Sequence, residues 1–147
     1  MNLFGVMEVS GSALKAERIR AEVVAANMAN AETTRTAQGG PYRRQHVVFS
    51  SAAAEPGSFA GQLMSQADPP LGGVNVSAIV QDPASTLRRY DPSHPDADKD
   101  GYVSYPDINP LTEMVDLMGA TRAYGLNSSA IQATKGMINS SLDILKS

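Results

Sequence analysis

Residues 96 to 107, DADKDGYVSYPD, place Asp96, Asp98 and Asp100 at alternate positions, then Gly101 and Ser104, and end on Asp107. Oxygen donors alternating around a tight glycine turn are what a hard cation needs, and the spacing matches the calcium loop of an EF-hand. The surrounding residues argue against an ion. Asp107 is one methylene shorter than the glutamate that closes such a loop, and Pro106 stands where the exiting helix should begin. Pro92 and Pro95 push Asp91 and His94 out of the helical region on the entering side. Without two flanking helices, Asp96, Asp98, Asp100 and Asp107 are expected to form a solvated turn leading into a strand after Gly101, and no metal is assigned. A calcium-binding or helical adaptor protein using the acidic loop 96–107 is kept as the alternative function. Calorimetry with no heat below millimolar calcium dismisses its calcium form.

Other reactive residue types are sparse. His46 lies in a strand-like run beside Arg43 and Arg44, and His94 lies in a proline-rich turn. Neither has a nucleophile or carboxylate at a spacing that suggests a proton relay. Gly39 and Gly40 precede Pro41 without the strand, lysine and helix of a phosphate loop, so they read as turn residues. The arginine pairs at 43, 44 and 88, 89 lack interleaved aromatics, and salt bridges within protein are their expected role. No catalytic residue and no cofactor is predicted, so the chain reads as a non-enzyme.

Composition narrows the elements that must carry whatever function exists. The chain has 147 residues, enough for one ordinary domain, and 42% of them are apolar. Twenty of the apolar residues are Ala, with three Phe, five Tyr and no Trp, so a thick globular core is not expected. The absence of cysteine excludes disulfides and thiol chemistry. A net charge of −3 argues against nucleic acid or an anionic membrane as partner. The charge is uneven: residues 1–50 carry six basic and four acidic groups, and residues 91–116 carry one basic and seven acidic. No apolar run approaches the roughly 18 residues of a membrane span. The first fifteen residues lack a basic start and an apolar stretch, so a cleavable signal peptide is not expected.

The two ends have helical periodicity. Alternate steps of four and three join Leu3, Met7, Leu14, Ala21, Val24 and Met28, with Ser10 and Glu17 as the polar members. The same walk near the other end joins Met114, Leu117, Tyr124, Ile131, Ile138, Leu142 and Leu145, interrupted by Thr121, Ser128 and Lys135. Such narrow seams suit helix pairs or bundles better than the broad face of a globular core. Gly119, Gly125 and Gly136 each cost about 1 kcal/mol in a helix interior. They mark close approach by neighbouring helices, kinks, or a shorter helix. Between the ends, 42–49, 74–80, 86–90 and 102–105 are β-prone runs bounded by Gly, Pro and Asp, predicting small antiparallel hairpins. Residues 50–73, two-thirds Gly, Pro, Ser and Ala, predict a flexible loop. The predicted fold is mainly α with a small β insert, the two long helices pairing as a coiled-coil-like hairpin. The predicted division is 1–34, 35–109 and 110–147.

Read for identity as well as period, the chain resembles the flagellar basal-body rod protein family. The run SGSALKAERIRAEVVAANMANAETT, from Ser10 to Thr34, is similar to that family's N-terminal helix and includes Asn27 and Asn30. Pro41, Tyr42 and Arg43, followed by Val47, Val48 and Phe49, resemble the segment that follows it. Gly101, Tyr102, Val103 and Pro106 resemble a later strand motif, and Glu113, Met114, Val115, Met118, Ala120, Arg122, Tyr124 and Asn127 resemble the C-terminal helix. Gly125 and Asp107 depart from the family's usual polar helix former and Asn. The resemblance implies a structural subunit of the proximal rod in the bacterial flagellum, exported through the flagellum's own type III apparatus. Its partners would be copies of itself, other rod subunits and basal-body ring components, in a rod that crosses the periplasm. It also implies chain ends that are poorly ordered alone and become an inner helical tube on assembly.

Overall fold

The computed structural model describes residues 3–51, 72–83 and 86–146. Helix α1 covers Leu3–Ala29 and helix α2 covers Pro110–Lys146. Between them lie strands β1 (Gln45–Ser51), β2 (Val74–Gln81), β3 (Thr86–Tyr90) and β4 (Tyr102–Pro106). Strand β1 pairs with β2 and β3 with β4, as two separate two-stranded sheets. The expected mainly helical chain with small β-hairpins between two long helices is therefore what forms. The predicted loop 50–73 lies outside the described residues except at its edges, where Ser50 and Ser51 still belong to β1.

Each helix begins or ends where local chemistry requires. Asn109 caps α2: its side-chain oxygen accepts from the Leu111 N–H at 3.0 Å, and Pro110 takes the first helical position, where no N–H is needed. At the end of α1, Asn30 donates from its side chain to Ala26 O at 2.9 Å and accepts from the Thr33 hydroxyl at 3.1 Å. An asparagine amide thus satisfies groups that the finished helix leaves open. Helix α2 runs without a break through Gly119, Gly125 and Gly136, so the shorter-helix reading is excluded. A side chain added at any of the three would meet nothing within 4 Å.

The chain divides into two compact units. One comprises Met1–Arg18, Phe49–Ser77 and Thr121–Ser147; the other comprises Ile19–Val48 and Ala78–Ala120. In the first, Ser12 accepts from the Val74 N–H at 3.0 Å and donates to Val9 O at 2.7 Å, tying α1 to the start of β2. Buried Thr134 is satisfied within its own helix by Ala130 O at 2.9 Å, and half-buried Asn127 by Ala123 O at 2.9 Å. From Asn139 to Lys146 every residue is exposed.

In the second unit, β3 and β4 form an antiparallel hairpin with Tyr90 opposite Tyr102 and Thr86 opposite Pro106. Val103 and Pro106 are its buried residues, and Ile108, just beyond β4, is buried as well. The turn depends on Gly101, whose φ of +78° lies in the left-handed region. A Cβ there would stand 2.9 Å from the Tyr90 ring, so glycine is needed for space as well as conformation.

Among the described residues the buried apolar groups are small: Ala16, Val23, Val24, Val103, Ile108 and Ala120. The largest fully buried side chains include Glu113, Asn27 and Thr134, so polar groups occupy much of the interior. This matches the thin core that an alanine-rich, tryptophan-free composition implies.

Candidate functional site

The second unit is organised around Asn27, which projects from the last turns of α1 and is completely buried. Its amide nitrogen donates to Gln45 O at 2.7 Å and to Glu113 Oε2 at 3.0 Å. Its oxygen accepts from the Gln45 N–H at 2.9 Å and the Tyr42 hydroxyl at 3.2 Å. All four hydrogen-bonding positions of the amide are used. By engaging both backbone groups of Gln45, the side chain acts as a rung beside the first residue of β1. It simultaneously holds the first turns of α2 through Glu113.

Glu113 is equally buried. Its second oxygen accepts from Arg44 Nε at 2.7 Å, and that guanidinium also lies 3.6 Å from Asp82 and 3.7 Å from Asp116. Arg20 of α1 reaches Asp116 at 3.5 Å, and His46 reaches Asp82 at 3.0 Å. Residues 20 and 27 of α1 therefore meet 116 and 113 of α2, so the helices run antiparallel here. The hydrogen bond to Glu113 holds the Arg44 guanidinium above its ordinary pKa despite the opposing effect of burial. Burial, with the nearby Glu113 charge second, raises the Tyr42 phenol above its ordinary value. Tyr42 is thus kept as a neutral donor to Asn27. A buried charge without a partner costs several kcal/mol, so this clasp is stable only when all its members are present.

The acidic loop is also engaged within the protein. Asp98 accepts from the N–H groups of Asp100 at 3.0 Å and Tyr102 at 2.8 Å, and from Arg88 at 2.6 Å. These bonds, the Tyr102 N–H foremost, pull its carboxyl below the ordinary range. Asp96 accepts from Thr34 at 2.8 Å and lies 3.6 Å from Arg35. Asp100 and Asp107 are exposed. Among the described residues no three His, Cys, Asp or Glu side chains gather as a metal site. Arg88 also lies over the Tyr102 ring at 5.0 Å, and Arg89 over Tyr105 at 4.6 Å. The expected salt-bridge role of the arginine pairs therefore holds for Arg44 and Arg88.

The residues singled out by resemblance separate into four places. Asn27, Tyr42 and Glu113 converge in the clasp, and Asn30 finishes α1. Gly101, Tyr102 and Pro106 build the β3–β4 hairpin, while Arg122 and Asn127 lie along α2. Sequence reasoning missed Gln45 and Asp82, because a backbone partner and a lone carboxylate leave no motif.

Along α1 the apolar seam is covered: Val24 is buried, and Leu3, Met7, Leu14, Ala21 and Met28 are half-buried. Along α2 it divides. Leu117, Ile131 and Ile138 are half-buried, whereas Met114, Tyr124, Leu142 and Leu145 are exposed. The deeply buried line of α2 is Glu113, Ala120 and Thr134, with half-buried Asn127 completing its seven-residue spacing. A hydrophobic walk cannot find that line, because its members are polar or small.

Two family models match the chain. Residues 7–35 match the flagella basal body rod protein model, and residues 99–144 match the C-terminal model of the flagellar basal body rod FlgEFG proteins. The two matches cover most of α1 with the turn after it, and β4 with almost all of α2. Over 151 aligned residues the chain is 40% identical to the flagellar basal-body rod protein FlgC of Borreliella burgdorferi, covering 99% of each chain. It is 43% identical to the FlgC of Bacillus subtilis, over 99% of this chain and 100% of that one. With the FlgC of Salmonella typhimurium it shares 35% identity over 98% of both. Similarity at this level, end to end and through the clasp, both hairpins and both helices, places the chain in the flagellar basal-body rod protein family.

Proposed function

We propose that this chain is a structural subunit of the flagellar proximal rod and catalyses no reaction. Its α1 and α2 segments, within 1–34 and 110–147, pack with copies of itself and other rod subunits into the inner tube of the drive shaft. The insert 35–109 faces outward and helps select the next subunit or a basal-body ring component. The chain reaches the rod through the flagellar export apparatus, and the finished rod spans the periplasm. Among the described residues no helix is long and apolar enough to cross a membrane.

One observation carries this reading: a chain matching rod proteins over its whole length leaves most of the large apolar side chains of α2 exposed. Leu111, Val115, Met118, Leu126, Ile144 and Leu145 are each at least 65% exposed. Monomeric soluble proteins rarely keep extended apolar surface of this kind, and it marks an interaction site. The calcium alternative gains no support, because Asp98 spends its carboxylate on the loop's own N–H groups and on Arg88. Deleting the gene tests the rod reading. Cells without it are expected to lack rods and not to swim, with both restored by the intact gene; normally rodded, swimming cells overturn the assignment.

A further inference from the structure

We propose that the polar cavity beside the clasp is a binding site for a carboxylate with amide groups next to it, the chemistry of a peptide's C-terminal end. The cavity has a volume of about 340 Å³, and Gln38, Arg43, Gln45 and Gln81 line it. That size lies at the lower end for a small-ligand site. All its lining residues fall within the second unit, so the site stands whether or not the chain assembles.

Its frame is already fixed. Asn27 holds both backbone groups of Gln45, at 2.7 and 2.9 Å, and the Asp82 N–H donates to Arg44 O at 2.8 Å, which anchors the end of β2 next to Gln81. Loop 36–40 closes on itself: the Thr36 N–H donates to Gly40 O at 2.9 Å and the Gly39 N–H to Thr36 O at 3.0 Å, with Gly39 at a φ of +85°. A site built before its ligand arrives loses less entropy on binding. The side chains, by contrast, are uncommitted. Among the described residues those of Gln38, Arg43, Gln45 and Gln81 make no hydrogen bond or ion pair within the chain. The charges nearby are engaged elsewhere: Arg44 with Glu113, Asp82 with Arg44 and His46, and Arg35 with Asp96. No carboxylate lines the cavity, so Arg43 makes it positive in a chain of net charge −3.

The chemistry selects the ligand. A guanidinium holds a carboxylate on two parallel N–H groups. Three primary amides add donors for the same anion and oxygens that accept N–H groups, which suits the peptide groups preceding a terminal carboxylate. A phosphate would bring about two negative charges to one guanidinium and little to donate to three amide oxygens. An apolar ligand would strip water from four polar side chains and return no hydrogen bonds.

The test uses the full isotope-labelled chain and N-acetylglycylglycine. Saturable shifts in the millimolar range are expected in the side-chain amide resonances of Gln38, Gln45 and Gln81. The carboxamide of the same dipeptide, and acetate, should each bind at least about tenfold more weakly, because each lacks half of the chemistry. Arg43→Gln should weaken binding about tenfold or more and Gln81→Met severalfold, while Arg122→Gln, exposed on α2, leaves it unchanged. Slow exchange of the Gln45 backbone amide shows that the clasp still holds in each variant; if Arg43→Gln loses that protection, Gln81→Met decides. A long peptide with the same C-terminal end separates two sources: equal affinity assigns a polypeptide tail, and a loss of about tenfold assigns a free short peptide. No saturable shift with the acid, equal binding of the carboxamide or acetate, or full binding by the deciding variant overturns the proposal and leaves the rod reading intact.

Discussion

At the residue scale, the clasp shows how one asparagine does what neither an acid nor an apolar residue can. Asn27 presents two donors toward Glu113 and Gln45 O, and two acceptor positions toward Tyr42 and the Gln45 N–H. Asn27→Asp keeps the shape but places a second carboxylate against Glu113 and removes both donors. It is expected to destabilise the chain by about 3 kcal/mol or more, and Asn27→Ala by about 1 to 3 kcal/mol, measured by urea unfolding. The ion pair is expected to be asymmetric as well. Arg44→Met strands a fully buried carboxylate at a cost of about 3 to 5 kcal/mol, whereas Glu113→Gln leaves a guanidinium that water still reaches and costs less. Equal losses from the two substitutions count against this description. A different pH dependence belongs to Asp98. Its folded pKa lies below the ordinary 3.8, so its contribution is complete above that value and is lost as pH falls through the lower one. The Tyr102 amide resonance should shift over that acid window, and Asp98→Asn should abolish the shift.

At the element scale, the two helices are built differently from the bundle helices that hydrophobic patterning describes. The covered face of α2 uses Glu113, Ala120, Asn127 and Thr134, which pack closely because they are small or engaged in hydrogen bonds. Much of its larger apolar content faces elsewhere. Ile131 and Ile138 stand about five turns beyond Glu113 and Ala120 on the same face, and are only half-buried. A charge at either position opposes the loss of water that assembly demands. Ile131→Asp and Ile138→Asp are expected to abolish rod formation and swimming while secretion of the chain continues. Swimming at the normal rate in both variants removes these residues from the assembly surface. The hairpin is the contrasting element: Gly101, Asp98 and the paired tyrosines specify it locally, with no demand on a second chain.

At the scale of the whole molecule, a 147-residue chain with few large buried side chains has little to offset the entropy of ordering two long helices. Stability should therefore be uneven along the chain. In dilute solution the amides of residues 139–146, where every side chain is exposed, are expected to exchange rapidly with solvent, and those around Asn27 and Glu113 slowly. Incorporation into rods should slow the first group severalfold or more; protection of that segment before assembly argues that it is already finished. Sequence alone determined the two long helices and the hairpins between them, because hydrophobic period and glycine turns are local properties read over a few residues. It also determined that Asp98 and its neighbours lack the flanking helices of a calcium site. Only the tertiary structure decided that Asn27, Tyr42, Arg44 and Glu113 share one buried clasp. It alone decided which wall of α2 is covered and which is left open. Both depend on residues as many as 86 positions apart meeting in space, and a polar residue in a helix carries no local sign of whether it faces water or a partner.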